Sequence, residues 1–155
     1  MSFSIKGAKG LDAMVESLQR DIINPGLVKT VAAEAMAIML ERTALGKDVE
    51  GRQFRPYSGR YKRQRAKKGR GTSRVDLNMT GNMLGAMRTG IDVAKMEASV
   101  YFREDSPEAE KALYHNEKKG RDARERREFF GLGDKDKARI LNLIDEHVKR
   151  TLKTG

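Results

Sequence analysis

The chain has 155 residues, enough for one domain with a real core, and a composition of 38% apolar and 35% charged residues that leans polar without reaching the disordered regime. It contains no cysteine, which excludes disulfide frameworks, thiolate zinc sites and cysteine nucleophiles. The formal net charge is +10, and ten Lys or Arg residues with no Asp or Glu lie between positions 52 and 74. The remaining residues balance at 22 basic and 22 acidic, so the whole excess sits in one segment.

The elements follow from periodicity and punctuation. Residues 2–6 alternate Phe3 and Ile5 with polar neighbours, the pattern of a short strand, and Gly7 and Gly10 break it. Leu11, Met14, Val15, Leu18 and Ile22 recur at helical spacing, predicting an amphipathic helix over 11–23. Asn24-Pro25-Gly26 is a turn with Pro25 placed to open the next helix. That helix carries Val28, Val31, Ala35, Ile38 and Met39 on one stripe to about Leu45, and Gly46 suits its C-terminal cap. No apolar leader follows the opening residues, and the longest apolar run, 31–40, contains Glu34 and is too short to span a bilayer. The expectation is a protein made in the cytoplasm with no membrane partner.

Residues 47–75 read as an extended basic loop within a single domain 1–155. Asp48, Glu50-Gly51 and Pro56-Tyr57-Ser58-Gly59 supply turn chemistry, and Phe54 and Tyr57 are large apolar groups suited to pinning the loop to the body. A short helix fits 60–68, and glycines make 69–73 pliable. A loop of this length in a small domain is functional or disordered. Order resumes at Val75-Asp76-Leu77, with Thr80 as candidate cap for a helix reaching Met87. Residues 88–93 and 98–102 alternate and predict a hairpin with its turn at 94–97. Ser106 and Pro107 open a further helix, with Ala109, Ala112 and Leu113 on its apolar side. The charged stretch 117–128 reads as a solvated loop, and Phe129-Phe130-Gly131-Leu132 as an apolar return to the body. The last helix begins at Asp134 or Asp136 and repeats Ile140, Ile144, Val148 and Leu152 every four residues. The fold class expected is α+β: three to four helices packed on a short antiparallel hairpin or sheet, plus the basic loop.

No catalytic, cofactor or metal constellation stands out. Gly69-Arg70-Gly71-Thr72-Ser73 lacks the spacing of a phosphate-binding loop. His115-Asn116-Glu117 suggests a nuclease only superficially, since no second ligand cluster accompanies it. His147 reads as a helix-end histidine and Asp76 as a turn or ion-pair residue. The expectation is a non-enzyme whose function rests on the basic segment. That segment is compatible with a solvated arm, with nucleic-acid binding through phosphate contacts and stacking on Tyr57 and Tyr61, or with docking onto an acidic face of a partner. Full phosphate engagement by ten cations predicts a log–log salt slope approaching about −9.

Arg42-Thr43, Gly46, Asp48, Gly51, Phe54, Pro56-Tyr57-Ser58 and Tyr61-Lys62, then a basic gap and Asp76-Leu77-x-x-Thr80-Gly81-x-Met83-Leu84, resemble the phage virion morphogenesis family. These are tail-completion and head–tail joining proteins of tailed bacteriophages. Arg127-Glu128-Phe129-Phe130-Gly131-Leu132 before a terminal helix resembles the family's R-x-F-x-G-L ending, whereas the chain departs from the family in the high charge of 114–127. The resemblance implies a structural protein of the virion neck, synthesised in the host cytoplasm and assembling as a ring, six-fold symmetry being favoured and twelve copies the alternative. Its implied partners are other neck and tail proteins, among them the tail terminator, tail tube and head-side connector, with non-specific DNA contact possible for a lumen-facing arm. The expected contact residues are Phe54, Pro56, Tyr57, Tyr61, Lys62, Arg63, Arg65, Lys67, Lys68, Arg70, Arg74, Phe129 and Phe130.

Overall fold

The computed structural model describes residues 2–6, 22–117 and 126–154, with the side chains of 2–6 left aside. The helix expected over 11–23 lies almost wholly outside the described residues. The fold is α+β. Strand β1 (Ser2–Lys6) is followed by α1 (Pro25–Ala44), α2 (Gly59–Lys67) and α3 (Asn82–Gly85). Then come β2 (Arg88–Asp92), β3 (Glu97–Tyr101), α4 (Pro107–Glu117) and α5 (Asp134–Thr154). Five helices are thus present among the described residues, one more than the upper expectation, because the short α3 and the basic α2 both form.

The hairpin forms with its turn shifted by a residue, and β1 joins it. The sheet order is β1-β3-β2, antiparallel throughout, with Phe3 opposite Val100 and Ile91 opposite Ala98. One face of β3 buries Ala98 and Val100 against α1, whose inner stripe is Leu27, Val28, Val31, Ala35, Ile38 and Met39.

The ends of α1 show why it starts and stops where it does. The Asn24 side chain accepts from Leu27 N–H at 2.9 Å, with Pro25 in the first turn, where its missing donor costs nothing. At the other end Gly46 takes φ 75°, its N–H reaches Thr43 O at 2.9 Å, and Lys47 N–H reaches Arg42 O at 3.0 Å. That pair of bonds is the Schellman termination, which needs a left-handed residue and so a glycine at this step. At α3 the expected cap is corrected. Gly81, with φ 84°, holds the N-cap position and has no side chain to bond with, while the Thr80 hydroxyl reaches only Asn82 N–H at 3.4 Å.

Helix α5 crosses α1, and Arg139 pairs with Glu34 at 2.6 Å and Glu41 at 2.7 Å across the contact. Ile140 is buried and Ile144 is half-buried, but Leu152 at the end of the same stripe is exposed. His147 Nε2 lies 3.1 Å from the Ile22 carbonyl, so this histidine meets a backbone group near the start of α1.

The segment 126–133 threads through the middle of the molecule. Phe129 and Phe130 are buried and pack on Phe102, with ring centroids 6.5 and 5.3 Å away. Asn116, at the end of α4, clamps them: its Oδ1 accepts from both Phe129 and Phe130 N–H at 3.0 Å, and its Nδ2 donates to Phe130 O at 3.1 Å. Arg42 completes the clasp, donating to Phe129 O at 2.6 Å and Gly131 O at 2.9 Å and pairing with Asp136. Burial pulls the Arg42 guanidinium below its ordinary pKa, and Asp136 works against that shift.

Candidate functional site

The basic segment is folded onto the body rather than extended from it. Residues 47–53 close a small turn: Asp48 Oδ1 accepts from Glu50 and Arg52 N–H, Gly51 is left-handed, and Lys47 bridges Gln53. Val49 N–H donates to Glu128 O at 2.8 Å, and Gly133 is so close to Val49 that a β-carbon there would strike its carbonyl. Phe54 and Tyr57 are both buried, as the pinning role requires.

Helix α2 is capped by Ser58, whose side chain accepts from Tyr61 N–H at 3.3 Å. At 100° per residue Tyr61 and Arg65 share its inner side, whereas Arg60, Arg63 and Lys67 share its outer side. Arg65 is 1% exposed and is the hub of the segment. Its Nε donates to Gly71 O at 2.8 Å, one terminal nitrogen donates to Asn78 O at 3.1 Å and Tyr57 Oη at 3.4 Å, and the other pairs with Asp76 at 3.0 Å. The guanidinium also sits over the Tyr57 ring, 4.7 Å from its centroid. Tyr57 Oη accepts from Leu77 N–H at 3.1 Å, and Leu77 is held at φ 53°. Burial raises the Tyr57 phenol above its ordinary pKa, while the Arg65 charge pulls the other way.

Five of the thirteen expected contact residues therefore lie in the chain's own interior: Phe54, Tyr57, Arg65, Phe129 and Phe130. In this fold they hold the segment and cannot meet a partner without opening the core. Tyr57 is likewise excluded as a base-stacking platform. Arg65 covers its ring, Arg127 approaches at 5.3 Å, and Tyr61 packs edge-on at 4.9 Å. Pro56, Arg63, Lys67, Lys68, Arg70 and Arg74 are exposed, and Tyr61 and Lys62 are half-buried. Arg74 donates to Ala44 O at 3.3 Å, satisfying a carbonyl at the negative end of α1. Among the described residues, none of Arg60, Lys62, Arg63, Lys67, Lys68 and Arg70 meets a carboxylate. The outer side of α2 is thus a rigidly mounted row of unpaired cations.

A cavity of about 740 Å³ opens beside this helix, lined by Arg55, Pro56, Tyr57, Ser58, Tyr61 and Leu77 from the basic segment. Tyr114, His115 and Arg127 close the other side. Arg127 is 8% exposed; its N–H donates to His115 O at 2.8 Å and its side chain to Arg55 O at 3.3 Å. Sequence reasoning missed Arg127, Asn116 and Arg42 as organising residues. Their partners are far away along the chain, and only the R-x-F-x-G-L ending and the Arg42-Thr43 pair hinted that these positions matter.

Among the described residues no three His, Asp or Glu side chains gather as a metal site would require, and no helix is long and apolar enough to cross a membrane. Comparison with protein-family models, with curated proteins and with solved structures yields no match.

Proposed function

We propose that this chain is a non-enzymatic structural component of a tailed-phage neck, acting in tail completion and head–tail joining and assembling as a ring. The observation that carries the reading is the outer face of α2, where Arg60, Arg63 and Lys67 stand unpaired on a helix fixed from beneath by buried Arg65. A preformed single-sign face on a rigid mount suits docking onto an acidic protein surface, because the ordering cost is met before the partner arrives. The residues behind the family resemblance also support it. Arg42, Thr43, Phe54, Tyr57, Leu77 and Met83 are buried, and Gly46, Gly51 and Gly81 are left-handed, so the shared pattern is one that a fold imposes.

Deleting 60–74 would remove the Arg65 hub with the cations, so the informative variant is Arg60→Glu/Arg63→Glu/Lys67→Glu. Heads and tails from an infection lacking the protein should be joined by the wild type and not by this variant, with both folded by circular dichroism. Normal joining by the variant would overturn the reading. The same cations also suit phosphate, and a second reading is a small nucleic-acid-binding protein. Tight low-salt gel shifts abolished by the triple variant, with no effect on joining, would favour that alternative.

A further inference from the structure

The sheet ends on β2, and the outer edge of that strand is open. The strand order is β1-β3-β2, and among the described residues no other segment bridges β2. Its residues pair with β3 without a bulge and include no proline or lysine, devices that commonly blunt an exposed edge. Ser99 Oγ donates to Gly90 O at 3.3 Å, so the Gly90 backbone is turned toward β3. Alternation then turns the N–H and C=O groups of Thr89 and Ile91 outward. Both residues are exposed, Ile91 by 42%, although their register puts them on the sheet face of buried Val100 and Ala98. Unused backbone groups and an uncovered apolar side chain therefore lie along one line.

The charges on the strand indicate what covers it. Arg88 and Asp92 flank Gly90 symmetrically, on the face of the sheet away from α1. Arg88 donates through one terminal nitrogen to Gly85 O and Met87 O, both at 2.9 Å, and meets no carboxylate among the described residues. Asp92 stands directly across the ladder from Glu97, with Lys95 reaching it at 3.6 Å from the turn. Two carboxylates facing each other on a ladder favour a further cation beside them. A second β2 laid antiparallel along the edge can join its outward groups in registers centred on Thr89, Gly90 or Ile91. The Gly90 register alone sets Arg88 opposite the second copy's Asp92 and, by symmetry, Asp92 opposite its Arg88. In that register Thr89 and the second copy's Ile91 exchange both backbone bonds, and each Ile91 side chain gains a threonine beside it. The glycines meet at the axis, where a pair without mutual hydrogen bonds brings Cα atoms to about 4.5 Å. A β-carbon on Gly90 would lie 2.8 Å from Ser99 Oγ, so β3 itself demands the glycine that leaves the axis clear.

We propose that the open edge of β2 is a self-association site, joining two copies of this chain into one continuous antiparallel sheet with Gly90 on the two-fold axis. Such a contact is isologous and closes at two copies. It uses no residue of α2 and does not depend on the neck reading, so it stands whichever partner the α2 cations take.

The test is sedimentation velocity on the full chain with charge-reversed edges. The wild type should pass from monomer to dimer as its concentration rises. Arg88→Glu sets acid against acid at both ends of the contact, and Asp92→Arg sets base against base. Each alone should dimerise at least about tenfold more weakly. An equimolar mixture of the two should regain dimer, and so should Arg88→Glu/Asp92→Arg in one chain, because each restores opposite charges at both ends. The Thr89 and Ile91 amides, free at the edge of the monomer, should exchange more slowly in the dimer. A wild type that stays monomeric at millimolar concentration would sink the proposal. So would single variants that dimerise like the wild type, or a mixture of folded variants that does not recover. Dimerisation lost in Arg60→Glu/Arg63→Glu/Lys67→Glu but kept in the edge variants would place the contact on α2 and overturn it as well.

Discussion

Arg65 shows how one side chain decides the character of a whole segment. A guanidinium that is 1% exposed survives only because four acceptors surround it: Asp76, Gly71 O, Asn78 O and Tyr57 Oη. Arg65→Met should therefore lower stability by about 3 kcal/mol in urea unfolding, because Asp76 and two carbonyls lose their donors in a partly closed site. The exposed substitution Arg63→Met, two residues earlier, should change it by no more than about 0.5 kcal/mol. Tyr57 gives a pH signature. Its folded pKa is raised, chiefly by burial, so above about pH 10 the unfolded chain releases the phenolic proton while the folded chain retains it. Its contribution is complete below the unfolded pKa and falls as pH climbs from there toward the folded value. Tyr57→Phe should lower stability at neutral pH by about 1 kcal/mol through the lost Leu77 and Arg65 bonds. The variant should also show a shallower alkaline decline, read from urea midpoints at successive pH values.

At the scale of elements, what was legible and what was not divides on locality. The helix start at Pro25, the cap at Ser106, the glycine stop at Gly46, the hairpin and the last helix all rest on neighbours within a few residues, and each formed. Phe54 and Tyr57 were readable as anchors because apolar bulk in a polar run has to go somewhere. Arg65 was not, because ten like charges conceal which one turns inward. The available signal was its position four residues after Tyr61 on one side of a short helix, with Asp76 the first acid beyond the run. Asn116 was hidden more deeply, since its three bonds reach 13 and 14 residues along the chain. What looked superficially like a nuclease triplet at 115–117 contains the clamp that fixes Phe129 and Phe130 under α4. Asn116→Ala should cost about 2–3 kcal/mol by leaving two buried N–H groups and a carbonyl unmatched. Asn116→Asp should recover part of that loss, since it keeps the acceptor for both N–H groups. Thermal melts of the two variants beside the wild type give the order.

For the whole molecule the central issue is whether the basic segment belongs to the folded chain or becomes ordered only when the proposed partner binds. The hydrogen bonds answer in a form that can be measured. Phe54 N–H donates to Gly46 O at 2.7 Å, Val49 N–H to Glu128 O at 2.8 Å, and Leu77 N–H to the buried Tyr57 Oη at 3.1 Å. Each bond ties the segment to the end of α1, to the 126–133 segment, or to the Arg65 hub, so none can open without disturbing buried Phe54, Tyr57 or Phe129. Opening any of them should therefore cost nearly as much as unfolding the protein. Native-state hydrogen exchange on the dilute chain should give the Phe54, Val49 and Leu77 amides free energies close to the global value. The exposed Gly59 and Arg60 amides, which lie in the first turn of α2 ahead of its backbone ladder, should exchange far faster. Exchange of all five at rates near those of an unstructured peptide would mean an arm that folds only against its partner. In that case the cation row would be a product of assembly rather than its cause. Protection of the first three with rapid exchange of the last two would place the ordering cost within the chain's own folding, leaving the α2 face preformed for the docking proposed above.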